Sequence, residues 1–499
     1  MASVVVIGAG MGGLAVAARL SAQGHQVTVA EQAARPGGKV ETYRRDGFAF
    51  DVGPSLLTLP AVYRDLFLKT PIKRKGAALE DNIDLRGLER AFGYRWADGT
   101  TAMLPGSNSN RVAAALGDAL GGTAEADWQK LSRRGADIWA ATRVPFLESP
   151  VSGPLELLRR PGRLAAMRAV APWQSLRALG RSYFNDPRLV TLLDRYATYT
   201  GSDPRKAPAA LAVIPFVEQT FGAWHVGGGI GRLADALYER CVGRGVRFRF
   251  EAAVDHVMTE GSRVVGVRLV DGEQLKADIV VSDVDARQLY DQLLTGPQAK
   301  APRRRLQRST ASLSGFSLLL ALKGRTPGIQ HHNVLFPEVY DDEFDAIFGQ
   351  IPMPPNDPAI YISSPDDAGM RPDEHESWTV LVNVPGHDPE RGIDWHDPTL
   401  VEAYSQRILD RLAERGYDVR ERMLWHEVRT PADLADTTWS PGGAIYGTSG
   451  NSRRSAFFRP NNRSPIDGLF LVGGSVHPGG GLPLVGMSAA IVAGLIGPA

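Results

Sequence analysis

Cysteine is almost absent from this sequence of 499 residues, because Cys241 is the only one. A single cysteine cannot form an internal disulfide, and it cannot build a cysteine-rich zinc site. The composition is therefore compatible with a reducing cytosol, and we predict no metal site. An excess of charge of one sign is also missing, since 56 Lys and Arg residues stand against 55 Asp and Glu residues. This balance argues against a general nucleic-acid-binding protein.

Long apolar runs are missing as well. No stretch of 18 apolar residues predicts a membrane-spanning helix, and no basic segment precedes the first apolar run as in a secretory signal. Residues 468–499 have no charged side chain apart from His477, but three glycines at 479–481 and Pro483 interrupt them. We expect a buried helix there. The sequence predicts a cytoplasmic protein, with peripheral contact to the inner face of the cell membrane as a further hypothesis.

Glycine is abundant instead, with 54 residues, and its first cluster follows a strand-like run. Residues 3–7 are β-branched and apolar, which is typical of a buried parallel strand. The glycine cluster at 8–13 comes next, and residues 14–24 read as a helix that ends at Gly24. A second strand is predicted at 27–30. This order of strand, glycines, helix and strand is that of a βαβ unit.

The spacing of these glycines is G-x-G-x-x-G, and each glycine has a physical reason. Gly8 allows a tight turn, Gly10 lets a pyrophosphate approach the backbone, and Gly13 lets helix and strand pack closely. Glu31, at the end of the second strand, is placed to accept hydrogen bonds from ribose hydroxyls. The pattern predicts a dinucleotide site. The alternative is a glycine-rich turn inside an ordinary βαβ unit.

The following residues favour FAD over NAD through a resemblance. Residues 35–39 (RPGGK) and 50–55 (FDVGPS) resemble the flavoprotein superfamily that contains amine oxidases, protoporphyrinogen oxidases and carotenoid desaturases. The resemblance implies that Lys39 approaches the FAD pyrophosphate, in a place where arginine is usual; the alternative is a solvated loop lysine. Ala33 stands where many members have a second arginine. Covalent attachment of the flavin through Cys241 is not expected.

Two later segments extend this resemblance. Residues 225–282 match the return of the chain to the FAD domain, with a hairpin at Asp271-Gly272 and a buried strand at 279–281. The residue at Val254 would contact the adenine through its backbone, although a purely structural strand explains it equally well. Residues 468–490 predict a strand, a glycine loop and a helix that starts near Pro483. The backbone amides of Leu484 and Val485 would face the flavin at the positive end of that helix.

The C-terminal segment also narrows the family. Residues 472–483 (VGGSVHPGGGLP), 186–209 and 455–474 look like the bacterial carotenoid desaturases, of the phytoene desaturase and 1-hydroxycarotenoid 3,4-desaturase type. The motif and the resemblance together predict a set of residues around a non-covalent FAD. They are Gly8, Gly10, Gly12, Gly13, Glu31, Gln32, Gly38, Lys39, Gly53, Pro54, Ser55, Val254, Gly474, Leu484 and Val485.

The implied fold is α/β. It consists of a Rossmann-type, glutathione-reductase-like FAD-binding domain with an interleaved α+β substrate domain. We predict that residues 1–90, 226–290 and 440–499 build the FAD-binding domain, and that residues 91–225 and 291–439 build the substrate-binding domain. Within the latter, residues 91–105 read as a hairpin around Asp98-Gly99 and residues 312–324 as a buried strand.

The implied activity is the desaturation of an acyclic carotenoid, by hydride transfer to flavin with loss of a neighbouring proton. A hydrophobic polyene is then the substrate, and quinone or oxygen the electron acceptor. The sequence has no G-x-S-x-G or H-E-x-x-H motif, and no catalytic acid or base stands out. Candidates for lining the site are Asp51, Trp224, His225, Trp439 and His477, although a structural role is an alternative for both histidines.

Three other functions stay open at this point. A polyene saturase or isomerase would use the same hydride path. An amine oxidase of the same fold would usually place aromatic residues over the flavin from the C-terminal segment, and residues 473–499 contain no Phe, Tyr or Trp. A non-enzymatic prenyl-binding escort protein would lack FAD, against which the intact glycines argue.

A basic amphipathic segment at 150–185 leads to the membrane hypothesis. Between residues 155 and 183 there are six arginines and one acid, Glu156, with leucines and Trp173 among them. Such a segment can lie on an anionic membrane surface, where a carotenoid would be available; the alternative is a helix with a solvated arginine face. The arginines are Arg159, Arg160, Arg163, Arg168, Arg177 and Arg181.

Overall fold

The strands of the protein follow the predicted order from the first residues onward. The structure is a computed structural model that describes residues 1–73, 76–150, 163–451 and 459–499. Its strands are β1 Ser3–Ile7, β2 Gln26–Ala30, β3 Thr42–Arg45, β4 Phe48–Asp51, β5 Leu57–Thr58, β6 Leu85–Gly87, β7 Arg90–Arg95, β8 Thr101–Pro105, β9 Ala223–Val226, β10 Arg247–Arg249, β11 Val254–Glu260, β12 Arg263–Leu269, β13 Gln274–Lys276, β14 Ile279–Ser282, β15 Ser314–Lys323, β16 His332–Leu335, β17 Ile360–Ser363, β18 His375–Val384, β19 Met423–Arg429 and β20 Leu469–Leu471.

Helices connect many of these strands. They are α1 Met11–Ala22, α2 Ala61–Lys69, α3 Ser109–Leu120, α4 Ala124–Thr142, α5 Arg163–Val170, α6 Leu176–Tyr183, α7 Pro187–Arg195, α8 Val213–Phe221, α9 Gly231–Gly243, α10 Ala286–Gln288, α11 Lys300–Gln307, α12 Asp341–Phe348, α13 Pro398–Glu414, α14 Pro431–Thr438 and α15 Leu482–Ile496. Short 3₁₀ turns occur at Tyr196–Thr200, Ala209–Ala212, Pro297–Ala299, Arg420–Arg422 and Pro441–Gly443, and π turns at Arg143–Leu147 and Leu289–Leu293.

A parallel sheet of five strands, in the order β10-β2-β1-β14-β20, carries the N-terminal motif. Every neighbouring pair in it is parallel. Its strands come from distant parts of the chain. β1, β14 and β20 are almost entirely buried, whereas the edge strand β10 exposes Arg247 and Arg249. The antiparallel hairpin strands β11, β12 and β13 form a separate small sheet beside it. This is the predicted α/β fold.

A second sheet of seven strands has the order β19-β15-β18-β17-β16-β7-β8 and is antiparallel except for the β16-β7 pair. Strand β15 lies inside this sheet, which explains why its apolar residues are almost all buried. The hairpin predicted around Asp98-Gly99 is present as β7 and β8. The predicted domain boundaries stay predictions, although no strand of the parallel sheet comes from residues 91–225 or 291–439 among the described residues.

Helix α15 is the buried helix expected near the uncharged end of the sequence. It contains no charged residue, and most of its side chains are buried against α1 and α2. A helix that is apolar on all sides is stable only inside a protein core or a membrane. Here the core explains it, and no helix of the described residues is long and apolar enough to cross a membrane.

Candidate functional site

A continuous cavity of about 1740 Å³ extends from the parallel sheet to the second sheet. Ile7 and Ala30, the last residues of β1 and β2, line it together with Asp283, which directly follows β14. Ligands of open parallel sheets bind at this carboxyl edge of the strands. The position of the cavity is therefore the one that the glycine motif predicts for a dinucleotide.

The glycines at the start of α1 form a cradle in which no side chain would fit. Gly8 has φ +96°, which favours glycine. A Cβ added to Gly10 or Gly12 would lie 2.5 Å or 2.3 Å from the carboxylate of Asp283. No side chain caps α1 at Gly10, so the amides of Met11 and Gly12 stay available to an anion, whereas the Gly13 amide bonds to the Asp283 carboxylate. This cradle fits the pyrophosphate of a flavin dinucleotide.

Gly13 was predicted to lie around the cofactor and to let helix and strand pack closely, and the structure differs from the first of these expectations. It is not among the residues that line the cavity. A Cβ added to Gly13 would lie 2.1 Å from the carbonyl oxygen of Gly8, so its place is the contact between helix and turn. Gly8, Gly10 and Gly12 line the cavity, as do the other residues predicted around the cofactor: Glu31, Gln32, Gly38, Lys39, Gly53, Pro54, Ser55, Val254, Gly474, Leu484 and Val485.

Glu31 is buried at the end of β2 and fixes the turn around it. Its carboxylate accepts hydrogen bonds from the backbone amides of Ala9 and Ala33. The side chain is therefore held toward the cavity, and its interaction with ribose hydroxyls stays a prediction.

Lys39 faces the cavity and connects two distant parts of the chain. Its Nζ donates hydrogen bonds to the carbonyl oxygens of Ala444 and Ile445, at 2.9 Å and 3.0 Å. Burial lowers the pKa of this amine to about 8, and the carboxylates of Asp285 and Asp283 oppose that shift. The arrangement differs from that of a solvated loop lysine and leaves the ammonium beside the glycine cradle.

Asp283 is a residue of this site that sequence reasoning missed. Burial raises the pKa of its carboxyl to about 8, with the charge of Glu31 acting in the same direction. The amide of Gly13 and the charge of Lys39 act against the shift. The signal in the sequence was an acidic residue directly after the buried strand β14, in the stretch IVVSD.

The C-terminal helix presents its first turn to the same cavity. Gly481 caps α15 without a side-chain hydrogen bond. The amide of Val485 donates to the carbonyl of Gly481 at 3.0 Å, so it is already used within the helix. The amide of Leu484 has no such partner within the described chain. Of the two predicted amides, Leu484 is the one left available to a ligand.

Arg459 holds the loops around this helix and is a second residue that the sequence did not reveal. Its guanidinium donates to the carbonyl oxygens of Tyr446, Gly474 and Thr448 at 2.8–3.2 Å. Burial lowers its pKa to about 10, which leaves it charged at neutral pH. A cation that neutralises carbonyl dipoles in this way fixes the glycine loop next to the cavity.

The part of the cavity that lies away from the glycines is mainly apolar. Its walls come from helices and from the second sheet, and include Phe92, Ile138, Leu211, Ile214, Val334 and Leu381.

A small polar cluster interrupts these apolar walls. The Tyr361 hydroxyl is 2.7 Å from Ser55 Oγ and 2.7 Å from His332 Nδ1. The Glu218 carboxylate accepts hydrogen bonds from Tyr196 and Tyr199, and burial raises its pKa to about 7.

Of the five residues proposed to line the site, Trp439 lines the cavity and the other four are not among the described lining residues. Asp51 instead accepts hydrogen bonds from Thr42 and from the Ile230 amide, and burial raises its pKa to about 7. It joins β4 to the start of α9. Trp224 donates to the carbonyl of Phe221 and packs outside the cavity.

Neither of the two histidines, His225 and His477, is among the residues that line the cavity. His225 Nε2 lies 2.9 Å from the Asp367 carboxylate, and burial lowers the pKa of the imidazole. His477 Nε2 lies 3.0 Å from the carbonyl oxygen of Ser149, and its ring packs edge-on against Phe146. Because Phe146 lines the cavity, His477 supports that wall.

The basic segment is only partly within the described residues. Glu156, Arg159 and Arg160 lie outside them, and so does the side chain of Arg163. Arg177 differs from the expected membrane-facing residue, because its side chain is buried in ion pairs with Asp194 and Asp341. Leu176 and Leu179 are also buried in the protein core, whereas Arg181 is exposed. Exposed apolar side chains nearby are Val144, Met167 and Trp173.

Comparisons with known proteins identify the family of the chain. Residues 11–496 match the family of flavin-containing amine oxidoreductases. The chain is 31% identical to 4,4'-diapolycopene oxygenase of Methylomonas, covering 98% of the chain and 97% of that protein. It is 33% identical to 1-hydroxycarotenoid 3,4-desaturase of Flavobacterium, covering 99% of both. The crystal structure of an oxidoreductase from Methanosarcina mazei has the same fold, with a TM-score of 0.65, 17% identity and 98% of both chains covered.

Proposed function

Because the chain belongs to the flavin-containing amine oxidoreductases and, within them, to the bacterial carotenoid desaturases, we propose that it desaturates an acyclic carotenoid with FAD. The observation that carries this proposal is one continuous cavity with two unlike parts. One part has the glycine cradle and the helix amides for a dinucleotide, and the other has apolar walls for a hydrocarbon. Nothing in the relatives or in the cavity favours a saturase, an isomerase, an amine oxidase or an escort protein.

FAD is the flavin that fits the cavity, and it is held without a covalent bond. The cradle of Gly10 and Gly12 suits a pyrophosphate, which FMN lacks. The lone thiol, Cys241, is buried and donates to the carbonyl of Leu14. Burial raises the pKa of this thiol to about 12, so it stays protonated. It is not among the residues that line the cavity.

The chain's own residues contribute positioning and exclusion of water. When bound, a flavin supplies the hydride acceptor for oxidation of an unactivated C–H bond. The apolar walls then orient the polyene and keep solvent from the reacting carbons. Lys39 and Arg459 place two positive charges beside the cofactor part of the cavity. The electron acceptor that reoxidises the flavin is quinone or oxygen.

Product analysis tests the proposed function. We expect the purified protein with FAD to convert acyclic carotenes in liposomes into products that have lost two hydrogens per new double bond. Mass spectrometry distinguishes this from gain of two hydrogens, from isomerisation without a mass change and from insertion of oxygen. Separate reactions with quinone and with oxygen identify the acceptor. Carotenoid desaturation would be excluded if acyclic carotenoids, both hydrocarbon and oxygenated, stayed unchanged with both acceptors.

We further propose that the surface near Trp173 contacts a membrane from which the polyene enters. Phe146 and Leu147 line the cavity, and their neighbour Val144 is 54% exposed. Trp173 is 55% exposed, and tryptophan prefers the boundary between lipid and water.

Vesicle binding tests this contact. We expect the protein to sediment with anionic vesicles. Trp173→Ala should lower that binding severalfold, because the aromatic ring that inserts into the lipid surface is lost. Ile351→Ala is the matched control, since Ile351 is a large apolar residue that is 79% exposed. Equal binding by both variants would mean that the surface near Trp173 does not meet the membrane.

A further inference from the structure

Three histidines pack against one another behind the wall of the cavity. His332 begins β16, and His331 directly precedes it. The ring centroid of His331 lies 4.6 Å from that of His332 and 4.8 Å from that of His225. Burying such polar rings costs free energy unless their nitrogens are hydrogen-bonded, so packing alone does not explain three of them side by side.

One end of this group reaches the cavity. His332 Nδ1 lies 2.7 Å from the hydroxyl of Tyr361, and that hydroxyl lies 2.7 Å from Ser55 Oγ. Tyr361 and Ser55 both line the cavity, and Ser55 belongs to the stretch 53–55 that is predicted to contact the flavin. Hydrogen bonds therefore lead from the cofactor side of the cavity to the His332 ring.

The other end reaches solvent. His331 is partly exposed. His225 Nε2 lies 2.9 Å from the Asp367 carboxylate, which lies 3.6 Å from the guanidinium of Arg86, a side chain that is half exposed. Against the effect of burial, hydrogen bonds from the Gly228 amide and from His225 lower the pKa of Asp367 to about 2. A carboxylate that stays charged therefore stands at the outer end of the group.

The two inner rings are neutral, and one of their nitrogens has no partner. Burial lowers the pKa of His331 to about 3 and that of His332 well below its ordinary value, with the neighbouring histidines acting in the same direction. A neutral imidazole accepts a proton at one nitrogen and releases one from the other. His332 Nδ1 is bound on the cavity side, whereas its buried Nε2 has no hydrogen-bond partner among the described residues. Nε2 is the atom left to pass a proton on.

We propose that Tyr361, His332, His331, His225 and Asp367, here called the histidine column, form a proton path between the cofactor side of the cavity and solvent. The contacts between the rings are close enough for a ring rotation or one water molecule to join neighbouring nitrogens. This inference rests on the proposed function, because it supplies the exit for the proton that desaturation releases into an apolar cavity.

The chemistry balances with the groups already named. One carbon loses a hydride, with both electrons of its C–H bond, to the flavin. The adjacent carbon loses a proton to the Tyr361 oxygen as Tyr361 gives its own proton to His332, and the electrons of that C–H bond form the new double bond. The path runs inward when quinone or oxygen takes up the electrons, because the acceptor needs one proton beyond the one that the flavin returns.

Single-turnover mixing tests the histidine column on the full-length, flavin-loaded protein. The protein is mixed without oxygen with an acyclic carotenoid in liposomes. Flavin absorbance reports hydride transfer, and a pH-indicator dye reports the proton that reaches solution. We expect equal rates for the two signals in the wild type, and proton release about 100-fold slower in His332→Phe, which keeps a ring without its nitrogens. Imidazole in solution should restore part of the rate in His332→Ala, which leaves room for it.

A second measurement does not depend on carotenoid turnover. Reduced methyl viologen supplies electrons without protons, so reduction of the bound flavin takes up a proton from solution. A saturated hydrocarbon of carotenoid length fills the cavity and keeps bulk water out. We expect proton uptake to be about 100-fold slower in His331→Phe and His332→Phe than in the wild type. His375→Phe is the matched control, since His375 is partly exposed on β18 and does not line the cavity; it should match the wild type.

The possible results separate the two proposals. If the wild type leaves the carotenoid unchanged but its proton uptake depends on His331 and His332, the proposed function is wrong and the histidine column stands. If the carotenoid is desaturated and the variants exchange protons at the wild-type rate, the column is wrong. A slow variant that imidazole does not restore has lost structure rather than a relay, which also overturns the proposal. Should His332→Phe not fold, His331→Phe and Tyr361→Phe decide.

Discussion

Gly13→Ala is expected to yield a protein without bound flavin and with a lower melting temperature. A Cβ at this position would lie 2.1 Å from the carbonyl oxygen of Gly8 and 3.1 Å from its carbon, both of which are backbone atoms. No side chain can move away, so α1 must shift relative to the turn that precedes it. The first amides of α1 would then no longer surround the pyrophosphate. The ratio of flavin absorbance to protein absorbance measures the loss.

Gly494→Ala is the matched control for this substitution. Gly494 also lies in a helix, α15, but a Cβ there would meet nothing within 4 Å. Alanine is the better helix former by about 1 kcal/mol, so this variant should keep its flavin and unfold at the same or a slightly higher temperature. A Gly13→Ala protein with the flavin content of the control would show that the close packing of turn and helix is not needed for the site.

Asp283→Asn is expected to stabilise the flavin-free protein at pH 9 and to leave its stability at pH 4 unchanged. The pKa of Asp283 is raised from its ordinary value of 3.8 to about 8, so between these values the folded protein binds a proton that the unfolded chain has released. Stability therefore falls as pH rises through this window and levels off above it. Asparagine has no proton to lose, and it keeps an oxygen for the Gly13 amide.

The size of this effect follows from the shift. One pKa unit corresponds to about 1.4 kcal/mol, so even half of the shift is worth about 3 kcal/mol at pH 9. For a chain of this length that is a difference in melting temperature of about 3 °C.

Melting curves of wild type and Asp283→Asn between pH 4 and pH 9 measure this difference. The other buried acids affect both proteins equally, so their contribution cancels. Asp118→Asn, at an exposed position on α3, is the control. If the melting temperatures of wild type and Asp283→Asn changed with pH by the same amount, the expectation would be wrong.

Local patterns made the parallel sheet and its glycines predictable. The β-branched run of β1, the spacing of Gly8, Gly10 and Gly13, and the acid at Glu31 lie within one stretch of 31 residues. Their physical reasons depend only on neighbours in sequence and on a generic ligand. The buried helix at the C-terminal end was predictable in the same way, because an uncharged helix has to be covered.

Residues whose role depends on distant partners could not be predicted. Arg177 and Arg195 both appear in the sequence as arginines on amphipathic helices. The structure pairs Arg177 with Asp194 and with Asp341, which is 164 residues away. It places Arg195 in a cavity whose other walls come from the second sheet. Asp194 directly precedes Arg195 in the sequence, yet it forms its ion pair with Arg177, so tertiary packing decides which arginine is paired.

The C-terminal elements β20 and α15 complete the N-terminal part of the fold, and this affects how the protein folds during synthesis. The fifth strand of the parallel sheet, β20, and the helix that covers α1, α15, are translated hundreds of residues after β1 and α1. His25 is bound to the carbonyl of Gly497 at 2.9 Å, so this contact too waits for the last part of the chain. While the chain is being synthesised, β1 therefore has β2 beside it, but β14, β20 and the covering helix α15 are added only later. We therefore expect the cradle to bind flavin only after β20 and α15 have been synthesised and have packed.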